Sequence, residues 1–194
     1  MRPTDRAVVL GEARSPLRSD GSTNVEPVFV LGIDPGLSRC GYACLEDAGR
    51  GVVKAVAMGV LRTPPDHPLP SRLAELQAEL AGLIAELRPS VVVVEQVFFQ
   101  VNVRTAMSVG QASGLALAEA AAAGCEVVQY TPNQVKETVA GWGGAGKEQV
   151  QRMVQARLGL AEPPRPPDAA DAAALALCHL AVAPLQRRLA EVRP

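Results

Sequence analysis

Four carboxylates stand where a fold could gather them into one site. Asp34 ends the apolar run VFVLGID, and Glu95 ends the run VVVVE. Asp168 and Asp171 are three residues apart at the start of DAADAAALALCHL, a spacing that puts both on one face of a helix. Four acids brought together would repel one another unless cations neutralised them, so their convergence would indicate a metal site.

The identity of the ligands limits the metal and its chemistry. Carboxylate-only ligation favours Mg²⁺ or Mn²⁺ over zinc. Two such ions, about 4 Å apart, can activate a water molecule and stabilise the leaving oxygen of a phosphodiester. The four acids therefore predict metal-dependent phosphodiester hydrolysis, which is nuclease chemistry.

Each acid also has a purely structural explanation. Asp34 could form the turn with the Pro-Gly pair that follows it. Asp168 could be a helix N-cap, and acids in a first turn favour the helix dipole. The hydrolytic interpretation requires a fold that brings all four acids together.

Short β-branched segments followed by helices predict such a fold. Residues 28–34, 41–47 and 51–61 are separated by Gly-containing turns and predict an antiparallel three-stranded meander. A helix follows that ends before Pro89, with Leu at 73, 76, 80, 83 and 87. The continuous apolar run at 91–94 is typical of a buried strand with a parallel neighbour.

The remaining segments complete an α/β order. We expect a small-residue helix near 103–123, a strand at 125–130, helices near 132–140 and 146–158, and a last helix that starts near Asp168. This order predicts a mixed five-stranded sheet with helices on both faces. Ligands of open α/β sheets gather at the carboxyl ends of strands, so Asp34 and Glu95 converge if their strands are parallel neighbours.

The composition fits one globular domain. Of the 194 residues, 48% are hydrophobic. We expect a disordered N-terminal tail at 1–26, the domain at 27–185 and a flexible C-terminal tail at 186–194. The small-residue stretch at 105–124 is interrupted by Gln111, Ser113 and Glu119, so no membrane partner is expected. Four cysteines without metal-type spacing predict a reduced, cytoplasmic protein.

Charge is distributed unevenly along the chain. The net charge of -1 argues weakly against a nucleic-acid partner. However, residues 27–130 carry 7 basic and 10 acidic side chains, net -3, whereas residues 131–194 carry 8 and 6, net +2. A surface that faces phosphate should therefore draw on the later half.

Four segments resemble those of the RuvC family of Holliday junction resolvases, which has the RNase H-like fold. They occur in the family's order between about Val28 and His179, as GIDPG, VVVVEQVFF, TPNQVKETVAGWGGAGKEQVQRMV and DAADAAALALCHL. The resemblance implies that the four acids bind the metal ions and carry catalysis, and that the protein resolves four-way DNA junctions in recombination and repair.

The resemblance also implies DNA contacts and partners. Lys136 and Lys147 match lysines linked to DNA binding, with Lys147 also linked to catalysis, and Phe98 matches an aromatic residue that stacks on bases near the crossover. We further predict that Arg104 binds DNA. The implied partners are four-way junction DNA, a second copy of the chain and the RuvA/RuvB branch-migration complex. The homodimer would be built partly on the small-residue helix.

Three alternatives remain open from the sequence alone. A different RNase H-like nuclease, acting on RNA or RNA/DNA hybrids, could have the same acidic centre. A DNA-binding scaffold could carry the acids for structural reasons. The GIDPG segment also resembles the first phosphate loop of actin-like and sugar-kinase-like ATPases, but the chain is short for their two lobes.

Overall fold

The computed structural model describes residues 27–49, 51–96 and 103–192. The predicted tail at 1–26 and the predicted DNA-stacking residue Phe98 lie outside the described residues. Arg104 lies within a helix, but its side chain is outside the described part. The domain boundaries predicted from the sequence remain predictions.

The elements follow the predicted order. β1 (Val28–Asp34), β2 (Arg39–Asp47) and β3 (Val53–Arg62) come first; then follow α1 (Leu69–Leu87), β4 (Val91–Glu95), α2 (Val103–Ala122), β5 (Glu126–Tyr130), α3 (Pro132–Ala140), α4 (Lys147–Leu158) and α5 (Pro167–Val192). Each boundary falls within a few residues of its predicted position, apart from the end of α5. Gly and Pro in the connecting segments set most of these boundaries.

The sheet has five strands in the order β3-β2-β1-β4-β5. β1, β2 and β3 pair antiparallel, as the meander predicted. β4 pairs parallel with β1 on one side and with β5 on the other. The mixed five-stranded sheet is confirmed, and β1 and β4 are the parallel neighbours that the site requires.

Helices cover both faces of the sheet, as predicted. Successive strand residues point to opposite faces, so Val30 belongs to the core that includes α3, α4 and α5, whereas Leu31 belongs to the core that includes α1 and α2. Val93 and Val92 of β4 divide in the same way between the two cores. Burial on both faces explains why the VVVV run lacks polar alternation.

Two glycines let α5 approach the sheet closely. A Cβ atom at Gly32 would lie 2.0 Å from the carbonyl oxygen of Ala172, and one at Gly41 would lie 2.1 Å from that of Asp168. Real side chains never come so close to backbone atoms, so only glycine fits at these positions. This contact sets the first turns of α5 against the ends of β1 and β2.

α5 extends into the segment that the sequence predicted to be a flexible C-terminal tail from 186. The helix continues to Val192, and the flexibility of this segment stays a prediction. The segment after Pro184 reads LQRRLAEV, and most of these residues have high helix propensity, which explains the continuation.

α5 is also long and apolar enough, by length and composition, to span a membrane over Pro167–Gln186. However, 61% of its most apolar window is buried inside the protein, as expected of the core helix of a globular fold. Its alanines, such as Ala172 and Ala176, are buried against the sheet.

The four cysteines all lie in the described residues as free thiols. Burial raises the pKa of Cys40 and of Cys44 to about 12, so neither thiol is reactive at neutral pH.

Candidate active site

Asp34 and Glu95 lie at the carboxyl ends of adjacent parallel strands. Ile33 of β1 is the register partner of Val94 of β4, and each acid is the next residue along its strand. Both side chains are only partly buried, because the strands end there and the chain turns away from the core. The sheet therefore presents two carboxylates side by side at one edge.

α5 adds Asp168 and Asp171 to the same edge. Asp168 lies in its first turn, and both acids are partly buried. The close approach of α5 at Gly32 and Gly41 holds this turn next to the end of β1. The structure thus brings together acids that are more than 130 residues apart in the chain.

The acids share one electrostatic field. The pKa of Asp34 is raised from its ordinary value of 3.8 to about 7, chiefly by burial and then by the negative charges of Glu95, Asp171 and Asp168. Burial and neighbouring negative charges both disfavour the ionised carboxylate, so the two causes act in the same direction. Asp34 is therefore the centre of the acidic cluster.

The pKa values of Glu95 and Asp171 are also raised, again mainly by burial. The negative charge of Asp171 adds to the shift at Glu95, and that of Asp168 adds to the shift at Asp171. Lys147 and Lys136 oppose both shifts, which puts the two predicted lysines within electrostatic reach of the acids.

Lys147 contacts the cluster directly. Its Nζ lies 3.4 Å from Asp171 Oδ2, and the charge of Asp171 is the main reason why the pKa of Lys147 is raised. The lysine side chain remains 79% exposed, so it can also face a ligand outside the protein. Lys147 is the first residue of α4, after Gly146 at the N-cap.

Lys136 occupies α3, which is fixed at both ends. Thr131 and Gln134 form a capping box at its start, and Gly141 ends it in the left-handed conformation with a φ of 89°. Val135 and Val139 bury the inner face of this helix. Lys136 is therefore held on a defined helix, although the described contacts include no direct ion pair with the acids.

Arg39 was not found by sequence reasoning. Its guanidinium forms an ion pair with Asp168 Oδ2, across 129 positions of sequence. No local pattern indicates this contact, because it depends on β2 and α5 meeting at Gly41. Two acids of α5 thus each have their own cation, Arg39 for Asp168 and Lys147 for Asp171.

The donor set fits a hard divalent cation. Four carboxylates gathered at one end of the sheet have the negative charge and the oxygen ligands that Mg²⁺ or Mn²⁺ prefers. As the side chains lie, no three Asp, Glu, His or Cys residues within 27–49, 51–96 and 103–192 form a finished metal cage. Two of the acids are instead turned to Arg39 and Lys147.

Similarity to known proteins extends over the whole site. Residues 30–179 match the family model of the crossover junction endodeoxyribonuclease RuvC. The chain is 49% identical to RuvC of Chloroflexus aggregans over 158 residues, 81% of this chain and 96% of the relative. It is 48% identical to RuvC of Moorella thermoacetica over 165 residues, 85% of this chain and 98% of that one.

Solved structures of two Holliday junction resolvases are also similar to this chain. Thermus thermophilus RuvC, in complex with a Holliday junction substrate, superposes with a TM-score of 0.77 at 38% identity, over 82% of this chain and 96% of the other. The yeast mitochondrial Holliday junction resolvase Ydc2 has a TM-score of 0.65 at 16% identity, over 83% and 82%, which shows a shared fold. The chain belongs to the RuvC family of crossover junction endodeoxyribonucleases.

Proposed function

We propose that the protein resolves four-way DNA junctions by divalent-metal-dependent hydrolysis of phosphodiester bonds. The observation that carries the proposal is the convergence of four carboxylates, two at the carboxyl ends of β1 and β4 and two at the start of α5. The Thermus thermophilus relative, which was solved with a Holliday junction substrate, supports four-way DNA as the substrate.

In this proposal Asp34, Glu95, Asp168 and Asp171 hold Mg²⁺ or Mn²⁺, with two ions per site. The bound ions would supply an activated water molecule and charge stabilisation for the leaving oxygen. The protein itself contributes four closely spaced negative charges, which are held on rigid strands and a rigid helix. Asp34 and Glu95 are fixed by the strand register, and the α5 acids by the glycine contacts beneath them.

The two lysines are proposed to hold the DNA backbone beside this cluster. Lys147 is mostly exposed and is already within 3.4 Å of Asp171, so a phosphate that enters the site would meet its ammonium group. Lys136 acts from the neighbouring helix, where it favours the ionised forms of Glu95 and Asp171.

Phe98 and Arg104 are proposed as further DNA-binding residues. Phe98 follows Glu95, the last residue of β4, by three positions in the sequence. Stacking of an aromatic side chain on an unpaired base contributes about 1 to 3 kcal/mol. Arg104 belongs to the start of α2, next to the same segment.

A homodimer is proposed because resolution requires two cuts. One face of α2 carries Gly110 and Gly114, where an added Cβ would meet no atom of the residues that the structure describes within 4 Å. Met107 is 61% exposed one turn before Gly110. These residues leave a shallow surface on which a second helix could pack closely, and a two-fold axis there would place two sites on one junction.

The proposed function also implies a cell compartment and a partner complex. A junction-resolving enzyme with free thiols would act in the cytoplasm, beside the RuvA/RuvB branch-migration complex.

The decisive experiment compares substrates. Purified protein is incubated with a synthetic four-way junction, a linear duplex and an RNA/DNA hybrid of the same sequence, with Mg²⁺, with Mn²⁺ or with a chelator. We expect metal-dependent cleavage of the junction alone. Preferential cleavage of the hybrid would instead identify a nuclease of RNA/DNA hybrids, and binding of the junction without cleavage in either metal would identify a scaffold.

A further inference from the structure

We propose that Arg39 is a cation that competes with metal ions at the acidic cluster: it neutralises Asp168 while no divalent ion is bound, and its positive charge opposes metal binding. The inference rests on the proposed metal-dependent function, which requires Asp168 as a ligand. It assigns to the site a residue that the acidic pattern does not contain.

The contact itself is direct. Arg39 begins β2, and its guanidinium pairs with Asp168 Oδ2 at the start of α5. The arginine side chain is 43% exposed and the aspartate side chain 24% exposed, so the pair lies at the rim of the cluster. A guanidinium and a divalent metal ion are both cations, so each opposes the binding of the other to the same carboxylate.

The turn that carries Arg39 is held in place by other contacts. Thr63 Oγ1 donates a hydrogen bond of 2.6 Å to the carbonyl oxygen of Leu37. Arg72 donates to Thr63 Oγ1 at 3.0 Å and also to the hydroxyl of Ser38. The backbone that carries Arg39 is therefore held in place, which keeps its guanidinium beside Asp168.

Arg39 also reduces the net negative charge of the acidic cluster. The cluster holds four carboxylates, and the ion pairs with Arg39 and Lys147 neutralise one each. The remaining negative charge still attracts a divalent cation, but the guanidinium repels it. Arg39 should therefore weaken metal binding and stabilise the metal-free protein.

The sign of the effect separates this role from a merely structural one. If Arg39 only supported the fold, its removal would loosen the acids and weaken metal binding. If Arg39 competes with the ion, its removal strengthens metal binding. An exposed ion pair contributes up to about 1 kcal/mol, which corresponds to an increase of about two- to fivefold in metal affinity.

The experiment titrates Mn²⁺ into the whole protein without DNA and measures the dissociation constant by calorimetry. The variants are Arg39→Gln, Arg39→Lys and the control Arg152→Gln, which removes the same charge from an exposed pair with Glu148 on α4. We expect about two- to fivefold tighter binding in Arg39→Gln, an intermediate value in Arg39→Lys, and less change in Arg152→Gln. Circular dichroism confirms that each variant is folded.

A second readout is the thermal midpoint with and without Mn²⁺. In chelator, Arg39→Gln should melt below the wild type, and saturating Mn²⁺ should raise its midpoint by more than it raises that of the wild type. If folded Arg39→Gln binds Mn²⁺ as tightly as the wild type or more weakly, the proposed role of Arg39 is wrong, but the proposed function is unaffected. If Arg39→Gln does not fold, unchanged binding in Arg39→Lys would overturn it. Failure of the wild type to bind Mn²⁺ would overturn the proposed function as well.

Discussion

Asp34 and Glu95 occupy the positions next to the register pair Ile33 and Val94, at the ends of two parallel strands. After burial, the charge of Glu95 is the largest cause of the raised pKa of Asp34. The pairing of β1 with β4 thus places two negative charges close together in a partly desolvated site, and this repulsion destabilises the fold. A cation in the site would remove this cost.

The first prediction concerns the charge of Asp34. Asp34→Asn should lower metal-dependent junction cleavage by about 100-fold or more, because a neutral amide is a poor ligand for a hard divalent cation. Junction binding in chelator should change little, because the lysines remain. Asp66→Asn is the control, since it makes the same chemical change at an exposed position. Cleavage near the wild-type rate in Asp34→Asn would contradict the assignment.

The second prediction is a pH dependence of stability in the metal-free protein. The pKa of Asp34 is about 7 in the folded state against an ordinary 3.8, so the folded state holds this proton more tightly than the unfolded chain does. The contribution of Asp34 to the free energy of unfolding therefore falls as pH rises from about 4 to about 7 and is constant above that range.

Urea denaturation in chelator at several pH values between 5 and 8 measures this effect. Asn resembles the protonated carboxyl group, so Asp34→Asn should gain stability over the wild type, and its advantage should grow up to about pH 7 and then level off. Parallel curves for the two proteins would show that Asp34 has no raised pKa.

Much of this site follows from local sequence, and part of it does not. The positions of Asp34 and Glu95 at strand ends are visible because apolar runs stop there, and the parallel pairing follows from the buried VVVV run. The contact between Arg39 and Asp168 depends on α5 settling on β2 at Gly41. The contact joins residues 129 positions apart through tertiary packing, so the sequence around Arg39 does not indicate it.

The C-terminal end of α5 was not predicted from the sequence for a different reason. LQRRLAEV contains both strong helix formers and charges, and its charges resemble those of a solvated tail. Whether such a segment is helical depends on the helix that precedes it. The buried alanines of α5 provide that helix, so the chain continues it to Val192.

The third prediction tests the contact of α5 with β1. Gly32→Ala should cost about 1 to 3 kcal/mol or more in unfolding free energy, because the new Cβ would lie 2.0 Å from the carbonyl oxygen of Ala172. It should also lower cleavage, since the clash moves the α5 acids away from Asp34. Gly82→Ala is the matched control: it lies in α1 with nothing within 4 Å of its Cβ, so it should stabilise the protein by about 0.5 to 1 kcal/mol. Equal stabilities for the two variants would contradict the packing argument.

The fourth prediction separates function from stability at Lys147. Lys147→Gln should lower the rate of junction cleavage by about tenfold or more, because the ammonium group beside Asp171 is lost from the place where a phosphate would enter. The lysine is 79% exposed, so the unfolding free energy should change by less than about 1 kcal/mol. A large stability loss with an unchanged cleavage rate would assign Lys147 to the fold.

The last prediction concerns the homodimer. Gly114 is exposed, and an added Cβ there would meet no atom of the described residues within 4 Å, so Gly114→Leu should leave the monomer folded and interfere with a second subunit on α2. We expect light scattering to show a dimer for the wild type and a larger monomer fraction for Gly114→Leu, with similar circular dichroism. Val52, which is 50% exposed on the turn before β3, provides the control as Val52→Leu.

Subunit mixing then tests whether both sites are needed. Wild-type and Asp34→Asn subunits are mixed in equal amounts and allowed to exchange, and the products from a four-way junction are separated by gel electrophoresis. Heterodimers contain one intact acidic cluster, so they should leave junctions nicked in one strand, which homodimers of the wild type do not accumulate. If the dimer interface lies on α2, Gly114→Leu should also accumulate single nicks, because a lone subunit can cut only one strand at a time. A monomer that makes both cuts in one binding event would show that the second copy is not required.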